Sequence, residues 1–173
     1  MDGSRAGWGL EGKGVIVTGA AQGIGEATAR AFADVGASVC AVDLREEAVA
    51  SVADSLPGGP HLAVGLDLND LDAHAGLVER TAEELGDLQA LVLAAGVLKR
   101  QPFGEVTEAA WDWQVDTNLK ATFFLSRTAG DHMQAGGTRG SICTFTSISA
   151  TMGGVSSAPA YGASKGGVIA LTY

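Results

Sequence analysis

The chain has 173 residues, 46% of them hydrophobic and 18% charged, and its formal net charge is −9. This length and composition suit one globular domain over residues 1–173 and exclude a disordered chain. The acidity, without any cluster of basic residues, argues against nucleic acid and anionic membrane as partners, and no apolar run reaches the roughly 20 residues that span a bilayer.

Met1 to Leu10 shows no cationic segment followed by an apolar one, so no secretory signal is expected and the cytoplasm is the expected compartment. Gly14–Thr18 (GVIVT) reads as a first strand ending at glycine. A helix over Ile24–Val35 follows, with Ile24, Ala27, Ala31 and Val35 on its apolar side and Gly36 as its stop. Ala37–Val42 is the second strand, and Arg45–Leu56 is a helix closed by Pro57-Gly58-Gly59-Pro60. His61–Leu66 is the third strand. Leu71–Leu85 is a helix with Leu71, Ala75, Val78, Ala82 and Leu85 as its apolar positions, and Leu88–Ala94 is the fourth strand. A long helical region runs from Glu108 to Met133, with Trp111 and Trp113 read as packing residues. Gly136–Gly140 is a loop, Ser141–Thr146 the fifth strand, and the residues from Ala160 onward open another helix. Cys40 and Cys143 lie in apolar runs, away from any CxxC or histidine-rich cluster. They read as buried thiols, with no metal site and no disulfide framework. Strands apolar on both faces, alternating with amphipathic helices, predict an α/β fold: a doubly wound parallel sheet in three layers, α/β/α.

The first strand runs into Thr18-Gly19-Ala20-Ala21-Gln22-Gly23-Ile24-Gly25. Between a strand and a helix, glycines let the backbone turn tightly and approach a pyrophosphate, and the helix start aims free N–H groups at it. Asp43 closes the second strand. A carboxylate there can accept from both adenosine ribose hydroxyls and repels a 2′-phosphate, favouring NAD over NADP. Arg45, nearby, is the residue that would instead hold a 2′-phosphate. Asp67, after the third strand, either meets the adenine or serves as a helix N-terminal acid.

Tyr161 and Lys165 are four residues apart and so share one helix face. A phenol with a pKa of about 10 exchanges protons poorly at neutral pH, and an ammonium beside it favours the phenolate. Such a phenol can give a proton to a carbonyl as hydride arrives, or take one from an alcohol as hydride leaves. The fifth strand leads to Thr146-Ser147 at the ligand-binding edge of a parallel sheet, where a hydroxyl can hold the substrate oxygen.

Thr18-Gly19-x-x-x-Gly23-x-Gly25, Asp43, Asn118, Ser147, Tyr161 and Lys165 occur in an order and spacing that resemble the short-chain dehydrogenase/reductase family, from about Leu10 onward. The stretch Tyr161-Gly162-Ala163-Ser164-Lys165 is similar to that family's active-site segment. The resemblance implies a Rossmann fold and assigns roles. Tyr161 is the general acid/base and a cofactor contact, Lys165 tunes it and holds the nicotinamide ribose, and Ser147 orients the substrate, with Ser149 as a competitor. Asn118 kinks its helix and holds a water that links Lys165 to solvent. Gly19, Gln22, Gly23, Ile24 and Gly25 surround the pyrophosphate. Asp43 and Leu44 take the adenosine ribose, Asp67 and Leu68 flank the adenine, and Ala94, Ala95 and Gly96 lie under the cofactor. Val97–Phe103 and Ala150–Ala160 would line the substrate pocket. A homo-oligomer, dimer or tetramer, is implied too.

Two departures stand out. Leu93-Ala94-Ala95-Gly96 replaces the family's Asn-Asn-Ala-Gly, which predicts a different brace for the sheet. The chain also stops at Tyr173, whereas the family's domain continues, so the C-terminal strands are expected to be missing and the fifth strand to form an exposed edge. The expected function is an NAD-dependent oxidoreductase acting on an alcohol/carbonyl pair. The alternatives are a catalytically silent dinucleotide-binding module, or an epimerase or dehydratase using the same cofactor.

Overall fold

The computed structural model describes residues 8–153 and 158–172. Part of the predicted pocket loop (residues 154–157), most of the chain start (residues 1–7) and Tyr173 lie outside the described residues.

Five strands form one sheet: β1 (Gly14–Thr18), β2 (Ser38–Asp43), β3 (Leu62–Gly65), β4 (Leu88–Leu93) and β5 (Ser141–Thr144). Their order is β3-β2-β1-β4-β5 and every pairing is parallel. The chain winds outward from β1 to β3, crosses back to β4 and ends at β5, so the sheet is doubly wound and its switch point lies between β1 and β4.

The alternation of the central strands divides the core in two. Val15 and Val17 of β1, Val39 and Ala41 of β2, and Ala90 and Val92 of β4 face one layer. It is covered by α1 (Gly23–Asp34) and α2 (Glu46–Asp54). Ile16, Cys40, Val42, Leu91 and Leu93 face the other, covered by α3 (Ala73–Leu85) and α5 (Ala121–Ala135). Each fully buried aliphatic side chain contributes about 1.5–3 kcal/mol of transfer free energy, so the two faces together fix the strand register.

Three helical elements differ from the reading of the sequence. The long region breaks into α4 (Glu108–Val115), a π-helical turn (Asp116–Lys120) and α5. A short α6 (Ser149–Met152) precedes the last helix, α7 (Pro159–Leu171), whose first residue is a proline that needs no N–H partner there. On α1 the buried residues are Gly25, Ala29 and Ala33, not the predicted Ile24, Ala27, Ala31 face, and Ile24 is 63% exposed. Small residues at 25, 29 and 33 let α1 lie close to β1, which Ile24 would prevent. The thiols correct a further expectation: Cys40 is buried but Cys143 is exposed, because β5 pairs only with β4 among the described residues.

Candidate functional site: a cleft at the switch point

Where β1 and β4 diverge, a cleft of about 520 Å³ opens. Its lining includes Gly19, Gln22, Gly23, Ile24 and Gly25 from the first turn, Asp43, Leu44 and Arg45 after β2, Leu66–Asn69 after β3, and Ala94–Val97 after β4. Every residue assigned above to the cofactor, apart from Tyr161 and Lys165, therefore lines one cavity.

The first turn is shaped for close approach. Gly19 has φ +66, and a Cβ on it would lie 2.8 Å from the Ala95 backbone. The Thr18 hydroxyl accepts from the Ala95 N–H at 3.2 Å, so β1 and β4 are held together where a family asparagine is lacking. Gly23 has φ +59 with open space around its missing Cβ. Gln22 caps α1 with no side-chain hydrogen bond, so the helix start presents uncapped N–H groups beside the cleft.

Asp43 fastens this turn to β2. One carboxylate oxygen accepts from the Ala21 N–H (3.2 Å), and the other from the Arg45 N–H (3.0 Å) and guanidinium (3.3 Å). Arg45 is thus drawn into an ion pair with Asp43. Asp67 accepts from the Asn69 N–H at 2.9 Å, shaping the turn after β3 rather than capping α3, whose N-cap is Asp72.

The second half of the site lies on α7. Lys165 is 5% exposed; its ammonium donates to the Phe145 carbonyl at 2.7 Å and stands 6.0 Å from the Tyr161 ring centre. The Thr146 hydroxyl donates to the Lys165 carbonyl at 2.9 Å, so the segment after β5 and α7 are joined at two points. Burial pushes the Lys165 ammonium below the usual lysine range. A depressed lysine pKa lowers stability wherever the group is protonated in both states, and the cost vanishes above the unfolded value of about 10.4. Lys165→Met is therefore expected to raise the melting temperature at pH 7, with the advantage fading as the pH climbs toward about 10.4 and gone above it in thermal scans across pH. A constant difference at every pH would contradict the buried charge as its cause.

Ser147 lies three residues beyond the end of β5, and its hydroxyl accepts from the Ser149 N–H at 3.2 Å. Asn118, fully buried in the π-helical turn, accepts from the Val97 N–H (2.7 Å) and donates to the Val97 carbonyl (2.9 Å). A Cβ on Gly96 would sit 3.3 Å from the Asn118 oxygen and 3.7 Å from the Lys165 nitrogen. Gly96 is therefore the point at which the cleft meets the lysine.

Three contributors escaped the sequence reading. Ser164, fully buried, accepts from the Asn118 amide (3.1 Å) and donates to the Tyr161 carbonyl (2.8 Å), linking the π-helical turn to the turn of α7 that carries the tyrosine. Gln114, one turn before Asn118, accepts from the Lys99 N–H at 2.9 Å and holds the segment after β4. Trp113, read as packing, is 46% exposed and lines the cleft with Thr117. The four-residue spacing of Gln114, Asn118 and the Trp113/Thr117 pair was visible, but only the folded segment after β4 shows what they meet.

No helix of the described residues is long and apolar enough to cross a membrane. The 2-dehydro-3-deoxy-D-gluconate 5-dehydrogenase of Escherichia coli strain K12 is 32% identical, over 94% of this chain and 64% of its own length. A short-chain type dehydrogenase/reductase from Mycobacterium marinum superposes with a TM-score of 0.89 at 30% identity, over 94% of this chain and 65% of that one. A Beutenbergia cavernae protein described as an NAD(P)-dependent gluconate 5-dehydrogenase, with NADP bound at low occupancy, gives a TM-score of 0.82 at 38% identity and the same coverage. The chain thus spans about two-thirds of the length of these relatives. Residues 13–173 match the family described as short chain dehydrogenase, and with the parallel sheet and the switch-point cleft this establishes that the chain belongs to the short-chain dehydrogenase family.

Proposed function

We propose that this chain carries the cofactor-binding and catalytic machinery of an oxidoreductase that moves hydride between a nicotinamide dinucleotide and an alcohol or carbonyl compound. One observation carries the reading. A single cleft joins a glycine turn with an uncapped helix start, a carboxylate at the end of β2 and, through Gly96, the buried ammonium of Lys165. Gly19 and Gly25 let the turn pack tightly on the Ala95 backbone and on itself, the space at the missing Cβ of Gly23 is open for a pyrophosphate, and a cleft of about 520 Å³ suits an extended ligand.

A bound nicotinamide would supply or accept the hydride. Tyr161 moves the proton at the substrate oxygen, as donor in reduction and acceptor in oxidation. Lys165 holds positive charge beside the phenol and, with donors beyond the one given to Phe145, would hydrogen-bond ribose hydroxyls. Ser147 hydrogen-bonds the substrate oxygen. Asn118 holds the Val97 backbone and, through Ser164, the helix turn of Tyr161. Relatives named for gluconate-type acids and for D-threitol support small polyhydroxylated compounds as a substrate class. Free thiols at Cys40 and Cys143 suit the reducing cytoplasm. Exposed Trp111 and Phe123, at 41% and 42%, support association of copies as a homo-oligomer.

NAD is the preferred cofactor in this reading. Asp43, at the end of β2, is the carboxylate that would repel a 2′-phosphate, and the Arg45 guanidinium paired to it at 3.3 Å would offset that repulsion only in part. Asp43→Asn keeps an acceptor for the Ala21 N–H and removes the charge. It is expected to raise NADPH affinity relative to NADH by roughly tenfold in fluorescence titrations. A wild-type preference for NADPH would overturn the assignment. The function as a whole is tested by following NADH formation with a panel of polyols, hydroxy acids and simple secondary alcohols. Failure to bind either reduced cofactor would end the proposal.

A further inference from the structure

The cleft wall formed by Leu66–Asn69 adjoins the Asp43 side, where the Leu66 N–H donates to the Asp43 carbonyl at 3.0 Å. The hydrogen bonds of this turn can be followed one by one. The Asp67 carbonyl accepts from the Asp70 N–H at 2.9 Å, and the Asp67 carboxylate accepts from the Asn69 N–H at 2.9 Å. The Asn69 amide donates to the Thr117 hydroxyl at 3.2 Å. The Leu68 carbonyl is met by a side chain from the core, Nε2 of His74, at 2.9 Å.

His74 is 1% exposed and stands in the first turn of α3, and it does not line the cleft. A carbonyl oxygen can only accept, so Nε2 carries the proton and, in the neutral ring, Nδ1 is a bare acceptor. That Nδ1 is buried and has no hydrogen-bond partner. An unmatched buried acceptor is unfavourable, and a leucine would fill a core position without that cost. What the histidine adds is a donor of defined length. It ties the turn after β3 to a helix whose Leu77, Val78 and Leu85 are seated in the core. The wall is then referenced to the sheet rather than to its neighbouring loops.

We propose that His74 is a positioning residue for the adenine end of the dinucleotide: its Nε2–H fixes the Leu68 carbonyl and with it the Asp67–Asn69 wall. The proposal rests on the dinucleotide reading above. It adds a residue that touches no ligand and acts through Leu68.

The test is calorimetric titration of the full chain with ADP-ribose, NADH and reduced nicotinamide mononucleotide. The variants are His74→Gln, His74→Asn and His74→Leu. A glutamine side chain places its amide nitrogen where Nε2 stood, whereas an asparagine amide reaches only the Nδ1 position. His74→Asn and His74→Leu are expected to weaken ADP-ribose binding by about tenfold, with the mononucleotide changed by less than about twofold. His74→Gln should stay within about threefold of wild type for all three ligands. In the unliganded protein, hydrogen exchange of the residue 68–70 amides should quicken in the Asn and Leu variants alone. Equal ADP-ribose binding by His74→Leu and wild type overturns the proposal. Equal losses for both half-ligands overturn it as well, since they signify general loosening, and rescue by Asn instead of Gln would assign the role to Nδ1. If His74→Leu does not fold, the comparison of Asn with Gln decides. A wild-type chain that binds no ADP-ribose removes the dinucleotide reading itself, an outcome distinct from any difference among variants.

Discussion

Tyr161→Phe is expected to lower kcat by about a hundred- to ten-thousand-fold while leaving NADH affinity within about twofold. Phenylalanine keeps the ring, and with it the packing on α7 and the face turned toward the Lys165 ammonium, 6.0 Å from the ring centre. Only the O–H is lost. The residues lining the switch-point cleft come from other elements, so binding of the proposed dinucleotide has no reason to follow. The split between turnover and binding is the informative outcome. Equal turnover by variant and wild type, measured side by side by NADH absorbance, would show that the proton moves through another group. Parallel loss of NADH binding would show that Tyr161 shapes the cleft instead.

The second large effect belongs to Gly25→Ala. Gly25 is buried in the first turn of α1, and a Cβ there would lie 2.1 Å from the Gly19 carbonyl oxygen, 2.6 Å from its carbon and 3.1 Å from the Ala20 Cα. All three are backbone atoms, so no side chain can swing aside. The helix must move away from β1 or the turn must open. Overpacking of this kind costs about 1–3 kcal/mol of stability. Because the atoms displaced are those of the turn proposed to hold the pyrophosphate, NADH affinity is expected to fall by at least about tenfold as well. Gly76→Ala on α3 is the control. Nothing lies within 4 Å of its Cβ position, and it sits inside a helix. It is expected to be stabilising by about 0.4–1 kcal/mol in thermal melts, with unchanged NADH binding. Indistinguishable melts for the two alanine variants would mean that the closeness of α1 to β1 is not what demands the glycine.

Both predictions rest on residues the sequence marked plainly, for a reason that also explains where it misled. The glycine turn, Asp43 and the Tyr161/Lys165 pair are local signals: a spacing along one element, or a residue type at the end of a strand. The apolar runs of β1, β2 and β4 were equally legible, because a strand covered on both sides has to be continuously hydrophobic. The face of α1 was not. Its alanines and glycines occur on several sides, and only the approach to β1 selects Gly25, Ala29 and Ala33. α3 shows the same limit from the other direction. Its buried face includes His74 and Thr81, which a hydrophobic periodicity passes over, because each finds its acceptor in a backbone carbonyl, Leu68 and Leu77 respectively.

The sequence by itself therefore determined the layer architecture and the family's motif set, including the groups proposed above for proton transfer, since each is written in residue type and short spacing. The tertiary structure alone decided how those groups are held. The Asn118–Ser164–Tyr161 link spans 46 residues between its two side chains, Asp43 meets Ala21 across 22, and Lys165 meets Phe145 across 20. Buried polar groups must find partners wherever the fold brings them, and those partners are fixed by the sheet order and the helix contacts rather than by neighbours in the chain.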